Sequence, residues 1–115
     1  MKHISLEKVP EKELYPGFIA RIIHTKLQSI SYIKCLEGAV LPAHKHAEEQ
    51  VLNLIEGEMD VTVEGETVRC KAGDVVHIPS NALHTVTAIT KCLAIDLFAP
   101  QRIAYLDYGA CTFEK

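Results

Sequence analysis

From residue 18 onward, apolar and β-branched residues come in short runs, each closed by a turn signal. The runs cover roughly 18–27, 29–36, 50–56, 59–64, 66–70, 75–78, 84–88 and 91–98. Between them stand Tyr15-Pro16-Gly17, Glu37-Gly38, Glu56-Gly57-Glu58, Glu64-Gly65-Glu66, Lys71-Ala72-Gly73-Asp74, Pro79-Ser80-Asn81 and Ala99-Pro100. This spacing, with no long stretch of 3.6-residue periodicity, predicts an antiparallel all-β sandwich or barrel. Met59-Asp60-Val61-Thr62-Val63-Glu64 alternates cleanly, as a strand does when one face meets the core. Gly65 reaches positive φ at no steric cost, which suits a tight hairpin between Glu64 and Glu66. Residues 6–14 read as a short helix or an extended arm, since Val9-Pro10 opposes a long helix. Tyr105, Tyr108 and Cys111 mark an aromatic tail expected to pack on the barrel or on a neighbouring subunit.

Length and composition narrow the class. The 115 residues suffice for one domain, with a core barrel at 18–100, an arm at 1–17 and a tail at 101–115. An apolar fraction of 48% and mixed charge describe a soluble globular chain. A net charge of −3 without any basic run argues against nucleic acid as a partner. No apolar segment approaches the roughly 20 residues that span a bilayer, so no membrane partner is expected. The start, Met1-Lys2-His3-Ile4-Ser5-Leu6-Glu7-Lys8, turns charged at once, and a cytoplasmic location is the expectation. Cys35, Cys70, Cys92 and Cys111 are far apart, form no CxxC pair, and read as reduced structural thiols.

The chemistry concentrates around His44-Lys45-His46. Alternate residues of an extended strand share a face, so His44 and His46 can aim two imidazoles at one point. Gln50 and His84 could complete a site of four metal ligands. A lone His-x-His pair is more often solvated surface. Here Gly38 lies six residues before His44, Gly57 lies seven after Gln50, and Gly73-x5-Pro79-x4-His84 follows. That convergence favours a metal site. Three imidazoles and an amide bring no negative charge, so a bound dication would keep its full charge. Such a site favours Lewis-acid work on an anionic substrate over oxygen activation at oxidised iron. Nickel, zinc, manganese and iron all accept this donor set.

A second cluster is Asp96-Leu97-Phe98-Ala99-Pro100-Gln101-Arg102. Alternation points Asp96 and Phe98 to one face and Leu97 to the other. If that face is the interior, a carboxylate and a ring sit beside the metal, and Arg102 offers a planar fork to a carboxylate near the mouth. The alternative is a structural Asp96–Arg102 salt bridge with Phe98 in the core. His77 could be surface or pocket wall. His3 and His24 are expected to be exposed, and Lys45 to point away from the site. Glu48 and Glu49 are expected to be solvated or to stand behind the ligands.

These residues carry a family resemblance. Gly38-x5-His44-x-His46-x3-Gln50-x6-Gly57 resembles the first cupin motif, and Gly73-x5-Pro79-x-Asn81-x2-His84 resembles the second. The resemblance covers roughly residues 30–100 and implies a double-stranded β-helix, the cupin jelly roll, with a metal inside its mouth. Gln50 departs from the usual Glu of the first motif. Asn81 and Ala88 depart from the usual Gly and Asn of the second, although Asn tolerates a left-handed turn. Taken with Asp-x-Phe-x-Pro-x-Arg, the chain looks like the small cupins of pectin and alginate degradation, which convert unsaturated monouronates to linear 5-keto-4-deoxyuronate. That likeness implies metal ligands at His44, His46, Gln50 and His84, and catalytic or substrate-contact roles for Asp96, Phe98 and Arg102. The expected activity is a metal-dependent lyase, isomerase or tautomerase acting on a small anionic sugar. Two other classes stay open: a cupin dioxygenase, and a non-catalytic cupin that binds small molecules or holds a structural metal. A homodimer is expected, with Ile22-Ile23 and the aromatic tail as its contact.

Overall fold

The computed structural model describes residues 1–107 and 111–113. Its strands are β1 (Lys12–Tyr15), β2 (Phe18–His24), β3 (Ser29–Cys35), β4 (Val40–His44), β5 (Glu49–Glu56) and β6 (Glu58–Val63). There follow β7 (Glu66–Lys71), β8 (Val75–Ile78), β9 (His84–Ala88), β10 (Cys92–Ala99) and the two-residue β11 (Cys111–Thr112). One-turn 3₁₀ helices occupy Leu6–Lys8 and Ile103–Tyr105. Among the described residues no helix is long and apolar enough to cross a membrane.

The larger sheet runs β1-β2-β3-β10-β5-β8, with β11 beside β2 in parallel, and the smaller runs β4-β9-β6-β7. All other strand pairs are antiparallel. From β3 to β10 the chain passes repeatedly between the sheets, which gives the jelly-roll arrangement that the cupin resemblance implies. Between the sheets lie Leu52, Leu54, Met59, Val61, Val86, Ala88 and Ala94, all buried. In β10 the alternation is unbroken: Cys92, Ala94, Asp96 and Phe98 are buried, while Leu97 and Ala99 are exposed. One periodicity thus builds the core at one end of this strand and delivers Asp96 and Phe98 to the interior at the other.

Turn chemistry follows the sequence closely. Glu64 and Gly65 form the two-residue β6–β7 hairpin with φ of 48° and 81°, the doubly positive pair of a type I′ turn. Asn81 takes φ 63°, the left-handed conformation its side chain tolerates. Gly57 has φ 92°, and a Cβ there would run into the Lys91 carbonyl, so only glycine fits.

Several expectations need correction. β4 lies outside every predicted run, although the alternation argument for His44 and His46 already required extended chain there. In the structure β4 is an edge strand with a register shift between Leu41 and His44, where the missing Pro42 N–H costs nothing. Residues 6–14 contain both a 3₁₀ turn and the start of β1. His24 is 2% exposed where β11 pairs with the end of β2, and its ring nitrogen meets Ser29 Oγ at 2.6 Å. Ile22 and Ile23 are also buried within the chain, so they offer no free surface for a second copy. Of the aromatic tail, Tyr105 packs edge-on to Phe98, while Tyr108, Gly109 and Ala110 lie outside the described residues. Cys35, Cys70 and Cys92 are buried free thiols and Cys111 is a half-buried one. Burial pushes the Cys35 thiol up to about 12, which suits a structural role.

Candidate metal centre

Both sheets contribute to one cluster at an open end of the interior. His44 ends β4 and His84 begins β9, and the two are register partners in the smaller sheet. His46 stands in the loop from β4 to β5, whereas Gln50 and Phe98 are register partners across β5 and β10 in the larger sheet. The turn carrying Asn81 fastens that loop: Asn81 N donates to the His46 carbonyl at 2.8 Å and Ser80 Oγ to that of Ala47 at 2.6 Å. The imidazole centroids are 4.1 Å apart for His44–His84, 5.0 Å for His46–His84 and 5.9 Å for His44–His46. One ring nitrogen from each lies within 4.8 Å of the others.

Hydrogen bonding to the backbone sets the tautomers. Nδ1 of His44 meets the Pro42 carbonyl at 2.8 Å, that of His46 the Glu48 carbonyl at 2.9 Å, and that of His84 the Ala82 carbonyl at 2.8 Å. A carbonyl only accepts, so each Nδ1 carries the proton, and in a neutral ring Nε2 presents a lone pair. Burial pushes His84 down to about 4 and, with the Arg102 charge second, lowers His46, so both rings are neutral near pH 7. His46 Nε2 then faces Gln50 Oε1 at 3.2 Å, two acceptors toward each other. His84 Nε2 is buried and finds no hydrogen-bond partner among the described residues. Converging lone pairs with nothing to accept from are what a cation requires, and backbone-oriented imidazoles are how proteins usually aim them. The donor set therefore fits a divalent transition metal.

Asp96, 8% exposed, lines the same cavity of about 230 Å³ as the three histidines, Gln50 and Arg102. Burial raises its carboxyl to about 7, only partly offset by a Gln50 hydrogen bond, and its Oδ1 has no partner among the described residues. Phe98 sets its ring edge-on to His46 at 5.7 Å. The Arg102 guanidinium lies 4.8 Å from the Tyr105 ring centre and 5.9 Å from that of Phe98. Its ion-pair partner is Glu48, with Nη1 3.4 Å from Oε1. The alternative of an Asp96–Arg102 salt bridge is thereby set aside.

Of the two places the sequence left open for Glu48, the structure takes the one behind the ligands: it is 4% exposed and its carbonyl meets His46 Nδ1. The signal was available: His46, Glu48 and Gln50 are buried while Lys45, Ala47 and Glu49 are exposed, a period of two that runs on into β5. Tyr105, also a cavity-lining residue, carried no motif that would reveal it. Glu49 and His77 pair at 2.7 Å on the exposed outer side, which makes His77 a surface residue.

Comparison with known proteins agrees with this architecture. The cupin domain family matches residues 32–98, a span holding His44, His46, Gln50, His84, Asp96 and Phe98. The pectin degradation protein KdgF of Dickeya dadantii is 29% identical over 104 residues, covering 87% of this chain and 94% of its own. The structure of KdgF from a Halomonas species matches with a TM-score of 0.85 at 28% identity, covering 92% of this chain and 99% of that one. An RmlC-like cupin from Shewanella frigidimarina matches with a TM-score of 0.85 at 26% identity, covering 92% and 97% of the two chains. Two antiparallel sheets enclosing a three-histidine cluster, under a family match that spans more than half of the sequence, identify this chain as a member of the cupin domain family.

Proposed function

We propose that this chain is a metal-dependent isomerase of a small anionic sugar, converting an unsaturated monouronate to its linear 5-keto-4-deoxyuronate. The observation that carries the proposal is the shared cavity: a neutral donor set, a protonatable buried carboxyl and an arginine fork line one space. Similarity to KdgF over nearly the whole of both chains supports the same reading.

His44, His46, Gln50 and His84 would hold the metal, which when bound supplies Lewis-acid polarisation of substrate oxygens. Arg102 binds the uronate carboxylate through its fork of N–H donors. Phe98 and Tyr105 wall that contact and keep water from it. The conversion removes the anomeric hydroxyl proton, breaks the bond from C1 to the ring oxygen, and returns a proton to C4 as the enol becomes a ketone. Substrate and product are isomers, so no oxidant is consumed. Asp96 is the group that takes the first proton and returns one. A carboxyl with its pKa near 7 exists in both forms at neutral pH, the condition in which one group serves as base and then as acid.

Asp96→Asn is expected to retain metal and fold while turnover of 4,5-unsaturated galacturonate falls about 10²–10⁴-fold. Undiminished turnover in that variant would remove Asp96 from the mechanism, and oxygen-dependent turnover would replace an isomerase by a dioxygenase. We further propose a homodimer through the outer face of the larger sheet, where Ile55 (48%), Val75 (62%) and Leu97 (36%) stay exposed. A monomeric mass by light scattering would contradict it.

A further inference from the structure

Glu48 occupies a position that the proposed chemistry leaves unexplained. Its carboxylate is almost fully buried, where a charge is costly unless it is paired. Three groups converge on it: Arg102 Nη1 at 3.4 Å from Oε1, Ile103 N at 3.4 Å from Oε2, and His46 Nδ1 at 3.6 Å from Oε1. Its own carbonyl accepts the His46 Nδ1–H. One residue therefore touches a ligand of the candidate metal and the arginine that would bind the substrate.

Little else fixes Arg102. Its backbone is tied where Arg102 N donates to Ser29 Oγ at 2.8 Å and Gln101 Nε2 to the Thr25 carbonyl at 2.6 Å. The guanidinium has ring faces nearby and Glu48 as its ion pair, and its Nε finds no partner among the described residues. There is also a charge argument. The ligand set is neutral because position 50 is Gln, and Glu48 puts a negative charge directly behind His46. The charge absent from position 50 returns one residue away from the metal.

We propose that Glu48 is a positioning residue that sets His46 and Arg102 together, so that metal and substrate carboxylate are held at a fixed separation. This rests on the reading of Arg102 as the anion fork, while its His46 half stands without that reading. The carboxylate polarises the His46 Nδ1–H and strengthens Nε2 as a donor. The same oxygen keeps the guanidinium from turning toward solvent.

The test is zinc affinity by chelator competition, followed by calorimetric binding of D-galacturonate to the zinc-loaded proteins. Glu48→Gln is expected to weaken zinc about tenfold. Glu49→Gln removes the same charge from the adjacent, exposed position and should leave zinc affinity within about twofold. For galacturonate, Glu48→Gln should bind about fivefold more weakly, and that loss should vanish in an Arg102→Gln background. If Glu48→Gln does not fold, the Glu48→Gln/Arg102→Gln double variant leaves no unpaired buried charge, and its zinc affinity should be weaker than that of Arg102→Gln alone. Equal zinc affinity in Glu48→Gln and Glu49→Gln overturns the His46 half. Tighter galacturonate binding in Glu48→Gln overturns the Arg102 half, since it would make Glu48 a competitor of the substrate. Absence of galacturonate binding to the wild-type protein would refute the Arg102 half and the uronate reading together, with the zinc comparison still deciding for His46.

Discussion

Asp96→Asn should make the metal-free protein more stable, by an amount that depends on pH in a defined way. Burial raises the Asp96 carboxyl from 3.8 to about 7 in the folded chain, while in the unfolded chain it stays near the ordinary value of about 3.9. Below pH ~4 the carboxyl is protonated in both states, and wild type and variant should differ little. As pH rises toward 7 the unfolded chain loses the proton while the folded chain keeps it, so folding grows less favourable. Above the folded pKa the cost is complete. Three units at about 1.4 kcal/mol each set a ceiling of about 4 kcal/mol. Asn has nearly the same shape and no charge to bury, so it escapes this cost. His46 and His84 titrate in both proteins and largely cancel in the difference. The assay is urea unfolding of both proteins from pH 4 to 8 with chelator present, because a bound dication would favour the ionised carboxylate and shrink the effect. The variant's advantage in unfolding free energy should climb through pH 5–7 and level off by pH 8 at no more than about 4 kcal/mol. A difference that stays flat across this range, or a wild type more stable at pH 8, would refute the argument that Asp96 is desolvated. Combined with lost turnover, a gain in stability would mark Asp96 as a group retained for chemistry at the expense of the fold.

In the Asp96→Asn background, which removes the opposing carboxyl titration, metal-free protein should lose stability as pH falls from about 6.5 toward 4, because the folded state keeps His84, lowered to about 4, neutral while the unfolded chain takes up a proton. His46 and His24, lowered in the same direction, add to the loss, and saturating zinc should suppress the part due to His84 and His46 in urea titrations. Gln50→Glu should bind zinc about tenfold more tightly and turn over uronate more slowly, since an anionic ligand quenches the metal charge; chelator competition and kcat would report the two effects. Gly57→Ala should cost about 2–3 kcal/mol in urea unfolding, combining a φ of 92° with a collision against the Lys91 carbonyl.

Much of this molecule was legible in local chemistry. Alternation in 59–64 and 91–98, and glycines or Asn at positions needing positive φ, specified strands and turns independently of what packs against them. The residues that converge were legible too, since His44, His46, Gln50 and His84 differ from their neighbours in chemical kind and line one cavity. The misplacements share one cause. His24, Ile22 and Ile23 were judged by residue type, but burial at the end of β2 depends on what distant parts of the chain place around it, β11 from some 90 residues later among them. β4 fell outside the predicted runs, and its Pro42 is compatible with a strand only at a sheet edge, which the sheet order alone reveals.

By itself, then, the sequence determined the strand pattern, the turns and the donor types of the candidate metal centre, because periodicity, φ preference and donor type are properties of single residues and their near neighbours. The tertiary structure decided which charges meet. It brought Arg102 to Glu48 rather than to Asp96 and left Asp96 nearly dry with its pKa near 7. Desolvation and ion pairing depend on what every other part of the chain places within a few ångströms, and no local pattern records that.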